Sequence, residues 1–221
     1  MACDNEWVQG ICTKPRIKCQ DCNHRQLSEL KDQVIYHHLV GKQVVGLYPL
    51  LHDNTCYLLA ADFDKGSWQD EVKAMSSACT QLGVPHAVEI SRSGNGAHLW
   101  IFFDEKTPAN EARLLGFGLL DKAMEIFPNL SFNSYDRLFP NQDILPEGGF
   151  GNLIALPLQR EARQAGNSLF VDEELNVMED QWQYLAQIKR LSRQELNKLL
   201  TQISPKANLI SEQDITDTRP P

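Results

Sequence analysis

The 221-residue chain has no stretch approaching the roughly 18 consecutive apolar residues that a membrane-spanning helix needs. Its N-terminus lacks the charged-then-apolar pattern of a secretory leader, so the expectation is a cytoplasmic protein with no membrane contact. Positive charge is scarce: 21 Lys plus Arg stand against 29 Asp plus Glu, a net charge of −8. That balance argues against diffuse electrostatic binding to nucleic acid, and any such role needs a local site strong enough to override it. Internal repeats are missing, as is the G-x-x-x-x-G-K-[ST] phosphate loop of helicase-type NTPases. What is present, 42% hydrophobic and 23% charged residues, is the composition of an ordinary globular chain. The length suits one large domain, or one domain with a small appendage.

Cysteine is unevenly spread. Cys3, Cys12, Cys19 and Cys22 fall in the first 22 residues, whereas Cys56 and Cys79 lie alone in apolar surroundings and read as small buried hydrophobes. The first four are spaced C-x8-C-x6-C-x2-C, and a C-x2-C knuckle presents two soft ligands at one turn. In a reducing cytoplasm a closed, structural zinc site is the better reading than disulfides. His24 is an alternative ligand. Lys14, Arg16, Lys18 and Arg25 surround the cysteines, either to touch phosphates or simply as a solvated basic loop.

Periodicity predicts alternating helices and strands. Leu27, Leu30, Val34 and Ile35 keep helical spacing up to Gly41. The runs 44–51 and 55–64 read as two strands of a hairpin turning at His52 to Asn54. Ser67 with Asp70 resembles a capping box opening a helix marked by Trp68, Val72, Met75, Cys79 and Leu82. Residues 87–91 and 97–103 are expected strands flanking a glycine turn, and 108–126 an expected helix. After a Pro-, Gly- and Asn-rich stretch come the apolar run 152–158, helical patches at 179–190 and 193–202, and a linker-like end. The interleaving implies an α+β fold with a mainly antiparallel sheet.

Three constellations carry chemistry. Asp62 and Asp64 end the apolar strand LLAADFD. Residues i and i+2 of a strand share a face, so two carboxylates converge, and a divalent cation such as Mg²⁺ or Mn²⁺ is the usual way to offset them. The plain alternative is a strand running out into solvent. The second is SRSGNGAHLWIFF: the turn Gly94-Asn95-Gly96 can aim backbone N–H groups at an anion, with Ser91, Arg92, Ser93 and His98 beside it. A hairpin with an incidental histidine is the competing reading. The third is the loop-rich segment 134–159, where Asp136 follows a strand-like FNSY and Asp143 is its rival as a further carboxylate.

These motifs, with the cysteine segment, YPLL, SYDRLFPNQD and GFGNLIALPLQ, resemble the archaeo-eukaryotic primase superfamily, and more closely the primase-polymerase domain of TOTE conflict-system proteins, over roughly residues 3 to 190. The resemblance implies an RRM-like primase-polymerase core and a metal- and template-dependent nucleotidyltransferase. It implies that Asp62, Asp64 and Asp136 form a two-metal site for Mg²⁺ or Mn²⁺, and that Ser93, the 93–96 backbone and His98 hold an incoming nucleoside triphosphate. Arg92 and Arg137 are further phosphate contacts on the residues' own chemistry. The expected organisation is a zinc-knuckle segment at 1–26, a catalytic domain at 27–190 and a helical tail with linker at 191–221. DNA template or primer and a helicase are the expected partners, and the chain is expected to be an N-terminal fragment or a stand-alone version of a longer protein. Against the overall acidity, four of the nine basic groups between 46 and 171 (Arg92, Arg137, Arg160 and Arg163) fall in the motif segments.

Overall fold

Two long strands with contrasting faces organise the chain. In a computed structural model, which describes residues 3–5, 8–14, 16–17, 22–26, 29–147 and 149–203, the elements run α1 (Asp32–Leu39), β1 (Gly46–Leu47), β2 (Thr55–Asp64), α2 (Trp68–Leu82), β3 (Ala87–Ile90), β4 (Gly96–Pro108) and α3 (Ala109–Ile126). They continue with β5 (Tyr135–Phe139), β6 (Ile154–Ala155), α4 (Arg160–Gln164), β7 (Phe170–Val171), α5 (Gln181–Gln187) and α6 (Arg193–Gln202). A five-stranded antiparallel sheet has the order β5-β2-β4-β3-β7, and β1 pairs with β6 in a separate two-stranded ribbon. The expected α+β class with antiparallel sheets is therefore present.

Alternation along β2 and β4 divides the core. Leu59, Ala61 and Phe63 of β2, with Leu99, Ile101 and Phe103 of β4, face a layer built from α2, α3 and α6. Phe63 is fully buried there, which contributes on the order of 2 kcal/mol for a side chain of that size. Ala60 and Trp100 face the opposite layer, packed with Ala87, Phe139, Ile154, Leu158 and Phe170. Asp62, Asp64 and His98 continue this second face toward the strand ends, so the polar site grows out of the smaller core. α6 adds Leu196 and Leu199 to the larger one, and Leu191 bridges to Phe103. Residues 191–203 thus belong to the folded body, while the linker-like 204–221 lies outside the described residues.

Several expectations are corrected. The hairpin of 44–51 with 55–64 does not form: only Gly46–Leu47 is strand, and it pairs with Ile154–Ala155. Pro49 has no N–H for a ladder, and Gly46 fits because a Cβ there would stand 2.9 Å from Leu153 Cγ. The capping box at Ser67 is replaced by a different contact. Ser67 Oγ donates to Glu71 Oε1 at 2.7 Å, and no side-chain cap bond is made. The first helix starts at Asp32; Leu30 lies before it and is exposed, and Leu27 is outside the described residues. The strand expected at FNSY starts three residues later, as YDRLF from Tyr135, so Asp136 sits within it.

Buried His38 joins α1 to two later segments: its Nδ1 accepts the Val45 N–H at 3.1 Å and its Nε2 faces the Pro157 carbonyl at 3.0 Å. Burial lowers its pKa, keeping the ring neutral in this bridging role. Cys56 and Cys79 are fully buried as expected, and burial pushes the Cys56 thiol up to about 12. Among the described residues no helix is long and apolar enough to cross a membrane.

Candidate active site

The register of the sheet sets four polar residues in a single row. Glu89 of β3 lies opposite His98 of β4, His98 opposite Asp62 of β2, and Asp62 opposite Arg137 of β5. Directly opposed residues share a face, so the row crosses four strands on the side of the smaller core. His98 Nδ1 stands 2.9 Å from Glu89 Oε2, and its Nε2 stands 3.5 Å from Asp62 Oδ1. Asp64, two residues beyond Asp62, lies on the same face and faces Gly96 across the ladder. Its backbone N–H donates to the Ser134 carbonyl at 2.7 Å, tying the end of β2 to the entry of β5.

A β-bulge delivers the remaining acid. Asp62 pairs with Arg137 but Phe63 pairs with Tyr135, so Asp136 is the additional residue in β5. Bulges re-aim side chains in this way. Asp136 Oδ2 accepts from Arg137 Nε at 2.6 Å. Asp143, the rival carboxylate, instead accepts from Arg113 Nη1 of α3 at 2.6 Å. Electrostatics groups the acids the same way. Burial raises the Asp62 pKa, the like charges of Asp136 and Asp64 raise it further, and His98 and Arg137 oppose them. Burial acts to lower the His98 pKa, yet the hydrogen bond and charge of Glu89, with Asp62 and Asp64, outweigh it, and the net shift is upward.

The glycine turn closes over the same end of the sheet. Gly94 has φ 76°, and a Cβ there would meet Asn167 Oδ1 at 2.5 Å. At Gly96 a Cβ would come 2.3 Å from the Phe63 carbonyl oxygen, so β4 reaches β2 only with glycine at this position. The turn satisfies part of its own backbone: the Gly94 N–H donates to the Ser91 carbonyl at 2.9 Å and the Asn95 N–H to Ser93 Oγ at 3.2 Å. Those two N–H groups are therefore engaged inside the turn. The Ser91 and Ser93 hydroxyls, 3.0 Å apart, and the exposed Arg92 and Asn95 remain as its polar surface. The Lys65 N–H binds the Asn95 carbonyl at 2.9 Å and docks the turn beside Asp64.

Asp62, Asp64, Asp136, Arg137, His98 and the 91–96 turn are thus brought to one end of one sheet. As placed, no three His, Cys, Asp or Glu side chains among the described residues are arranged to hold a single metal ion. The donor chemistry of the Asp62 and Asp64 pair suits a hard divalent cation, and Asp136 is turned to Arg137. In the N-terminal segment Cys3, Cys12, Cys22 and His24 border one small cavity, while Cys19 is outside the described residues. The three described thiols are free. The Arg25 guanidinium lies 4.2 Å over the Phe150 ring and anchors this segment on the 149–152 loop.

Two buried glutamates escaped the sequence reading. In sequence Glu89 is one polar residue within an apolar strand, and Glu71 one acid in a helix with its own apolar stripe, so neither stands out, yet both are buried. The only sequence signal for Glu89 was its alternation with Val88 and Ile90, which places it on the His98 face once the register is known.

The family model described as "TOTE conflict system, Archaeo-Eukaryotic Primase domain" matches residues 1–199. No curated protein matches. Among solved structures, the chain is similar to the polymerase domain from Mycobacterium tuberculosis ligase D in complex with DNA, at 16% identity and a TM-score of 0.32. That alignment covers 72% of this chain and 54% of the neighbour, so the chain spans about half of the neighbour's length.

Proposed function

The chain belongs to the archaeo-eukaryotic primase domain family of TOTE conflict systems, and on that premise we propose that it is a divalent-metal-dependent nucleotidyltransferase, a primase-polymerase that makes or extends strands on a DNA template from nucleoside triphosphates. The observation that carries this reading is the cross-strand row of His98, Asp62 and Arg137 with Asp64 on the same face. Two half-buried carboxylates beside a histidine and an arginine are costly to assemble without a ligand that uses both signs of charge. A metal-bound triphosphate is such a ligand.

In this reading Asp62 and Asp64 hold Mg²⁺ or Mn²⁺, and Asp136 exchanges Arg137 for the metal. Bound there, the cations supply charge neutralisation and Lewis acidity for phosphoryl transfer. His98 Nε2, the Ser91 and Ser93 hydroxyls and Arg92 face the triphosphate, and Arg137 adds a further cation once released from Asp136. Asp143 is given no part, because its carboxylate is engaged by Arg113. The intended setting is the cytoplasm, in a defence or replication system with a helicase on the same or another polypeptide. The test is incubation with primed and unprimed DNA templates, labelled nucleoside triphosphates and Mg²⁺ or Mn²⁺. Products longer than the input are expected. Shortened DNA would instead make it a nuclease, and tight DNA binding without turnover a binding module.

For the N-terminal segment we propose a structural zinc held by Cys12 and Cys22 with Cys3 and either Cys19 or His24. Cys3, Cys12, Cys22 and His24 line the same small cavity, which supports it, though as placed no three of them surround one point and the thiols would have to draw in around the metal. Metal analysis of the purified protein should find about one zinc per chain, four-coordinate sites being the rule for structural zinc. Cys12→Ser or Cys22→Ser should lose it, and a zinc-free wild-type chain would reject the site.

A further inference from the structure

Glu89 is 2% exposed, on a short strand whose other residues are apolar. An ionised carboxylate is expensive to bury unless donors match it, and here three do. His98 Nδ1 lies at 2.9 Å from Oε2, Trp100 Nε1–H donates to the same oxygen at 3.1 Å, and Ser168 Oγ donates to Oε1 at 3.1 Å. The Trp100 ring also stands edge-on to the His98 imidazole, with centroids 5.8 Å apart and planes at 81°. The imidazole is therefore fixed in place by one hydrogen bond and one aromatic wall.

From this we infer that Glu89 is a positioning residue, whose buried carboxylate holds His98 by Nδ1–H and turns Nε2 toward Asp62 and the phosphates of a bound nucleotide. The inference rests on the nucleotidyltransferase reading for its ligand, but not for the ring geometry. Which nitrogen of a histidine acts is decided by the hydrogen bond that the other makes. With Nδ1–H committed to Glu89, Nε2 is the nitrogen left for the site, and it donates to Asp62 or a phosphate when the ring carries both protons. If Glu89 served only to bind strands together, its contacts to Trp100 and Ser168 would suffice and the orientation of His98 would not depend on it.

Glu89→Gln keeps an oxygen to accept the Nδ1 proton, while its amide can donate to Ser168. Glu89→Leu keeps the size and removes the acceptor. Long-range ¹⁵N spectra of the imidazoles should show a proton on His98 Nδ1 in the wild type and in Glu89→Gln. In Glu89→Leu the ring should lose its Nδ1 proton, and with it the positive charge and the fixed orientation, keeping a proton on Nε2 alone. Titration with a nucleoside triphosphate and Mn²⁺ should weaken by about tenfold or more in Glu89→Leu, the loss expected for one oriented hydrogen bond to a charged group. Glu89→Gln should stay near the wild-type value. Combining Glu89→Leu with His98→Ala should bind no worse than His98→Ala alone, since residues that act as a unit are not additive.

An unchanged His98 spectrum in Glu89→Leu, or losses that add to those of His98→Ala, would overturn the inference. So would a wild-type ring protonated on Nε2 alone, a measurement that stands even if Glu89→Leu fails to fold. A wild-type chain that binds no nucleotide but shows the expected spectra would defeat the functional reading and leave the positioning role intact.

Discussion

Asp62→Asn and Asp64→Ala should each abolish strand synthesis, with losses on the order of a thousandfold or more, as when a group needed only in the transition state is removed. Neither should unfold the protein. Asp64 is 41% exposed at its side chain and its fold contact is made by the backbone N–H, which alanine retains. Asp62 goes further, because its raised pKa means that burial and its acidic neighbours disfavour the ionised form in the folded state. The sign follows from proton linkage. A carboxyl with a folded pKa above the unfolded value binds its proton more tightly when folded, so stability falls as pH rises through the two values. At neutral pH, with chelator present, Asp62→Asn should therefore melt at the same temperature as the wild type or higher. A lower melting temperature with synthesis preserved would show that Asp62 serves the sheet and not the chemistry. Asp143→Ala separates the two candidate acids: it breaks the ion pair with Arg113 and should affect stability, leaving synthesis measurable where Asp136→Ala does not.

The parts of this site that were legible in the sequence are those written locally. Asp62 with Asp64 is a two-residue spacing, and strand geometry alone puts both on one face. Gly94 and Gly96 signalled a tight hairpin, and the structure shows why each must be glycine: one faces the Asn167 side chain, the other the Phe63 carbonyl. The start of helix α6 is legible because Ser192 and Glu195 form a reciprocal capping box, an entirely local start signal. What could not be read depends on partners far along the chain. β1 looked like half of a hairpin because its apolar run lies next to β2, yet its partner is β6, over a hundred residues away. The placing of Asp136 needed a bulge, which appears only when β5 is set against β2. Glu89 and Glu71 are silent in the sequence for a related reason. A buried acid is identified by its donors, and those of Glu71 lie in part on Ser134, 63 residues further on.

Glu71 gives the opposite signature to Asp62. It is fully buried in the first turn of α2, the helix that starts just beyond Asp64. Oε2 accepts the Ser134 N–H at 2.9 Å and also the Ser134 hydroxyl, while Oε1 accepts Ser67 Oγ at 2.7 Å. The Ser134 carbonyl in turn holds the Asp64 N–H, and Asp136 follows two residues later. One carboxylate therefore fixes the relative position of two proposed metal ligands on different strands. Glu71→Ala would leave the N–H and hydroxyl of Ser134, a residue only 3% exposed, without an acceptor. Orphaned buried donors of that kind cost about 3 kcal/mol together, which for a chain of this length lowers the melting temperature by roughly 6 to 12 °C. Glu71→Gln, which keeps one acceptor oxygen, should fall by less. Synthesis by Glu71→Ala should survive at low temperature and fail well below the wild-type limit, since the chemical groups are present but loosely held. Thermal unfolding and synthesis measured across the same temperatures distinguish the two acids: Asp62→Asn loses turnover at every temperature without losing the fold, and Glu71→Ala loses the fold first. A Glu71→Ala protein with unchanged melting would mean that Ser134 finds another acceptor, and that the link from α2 to the two aspartates is not what holds them in place.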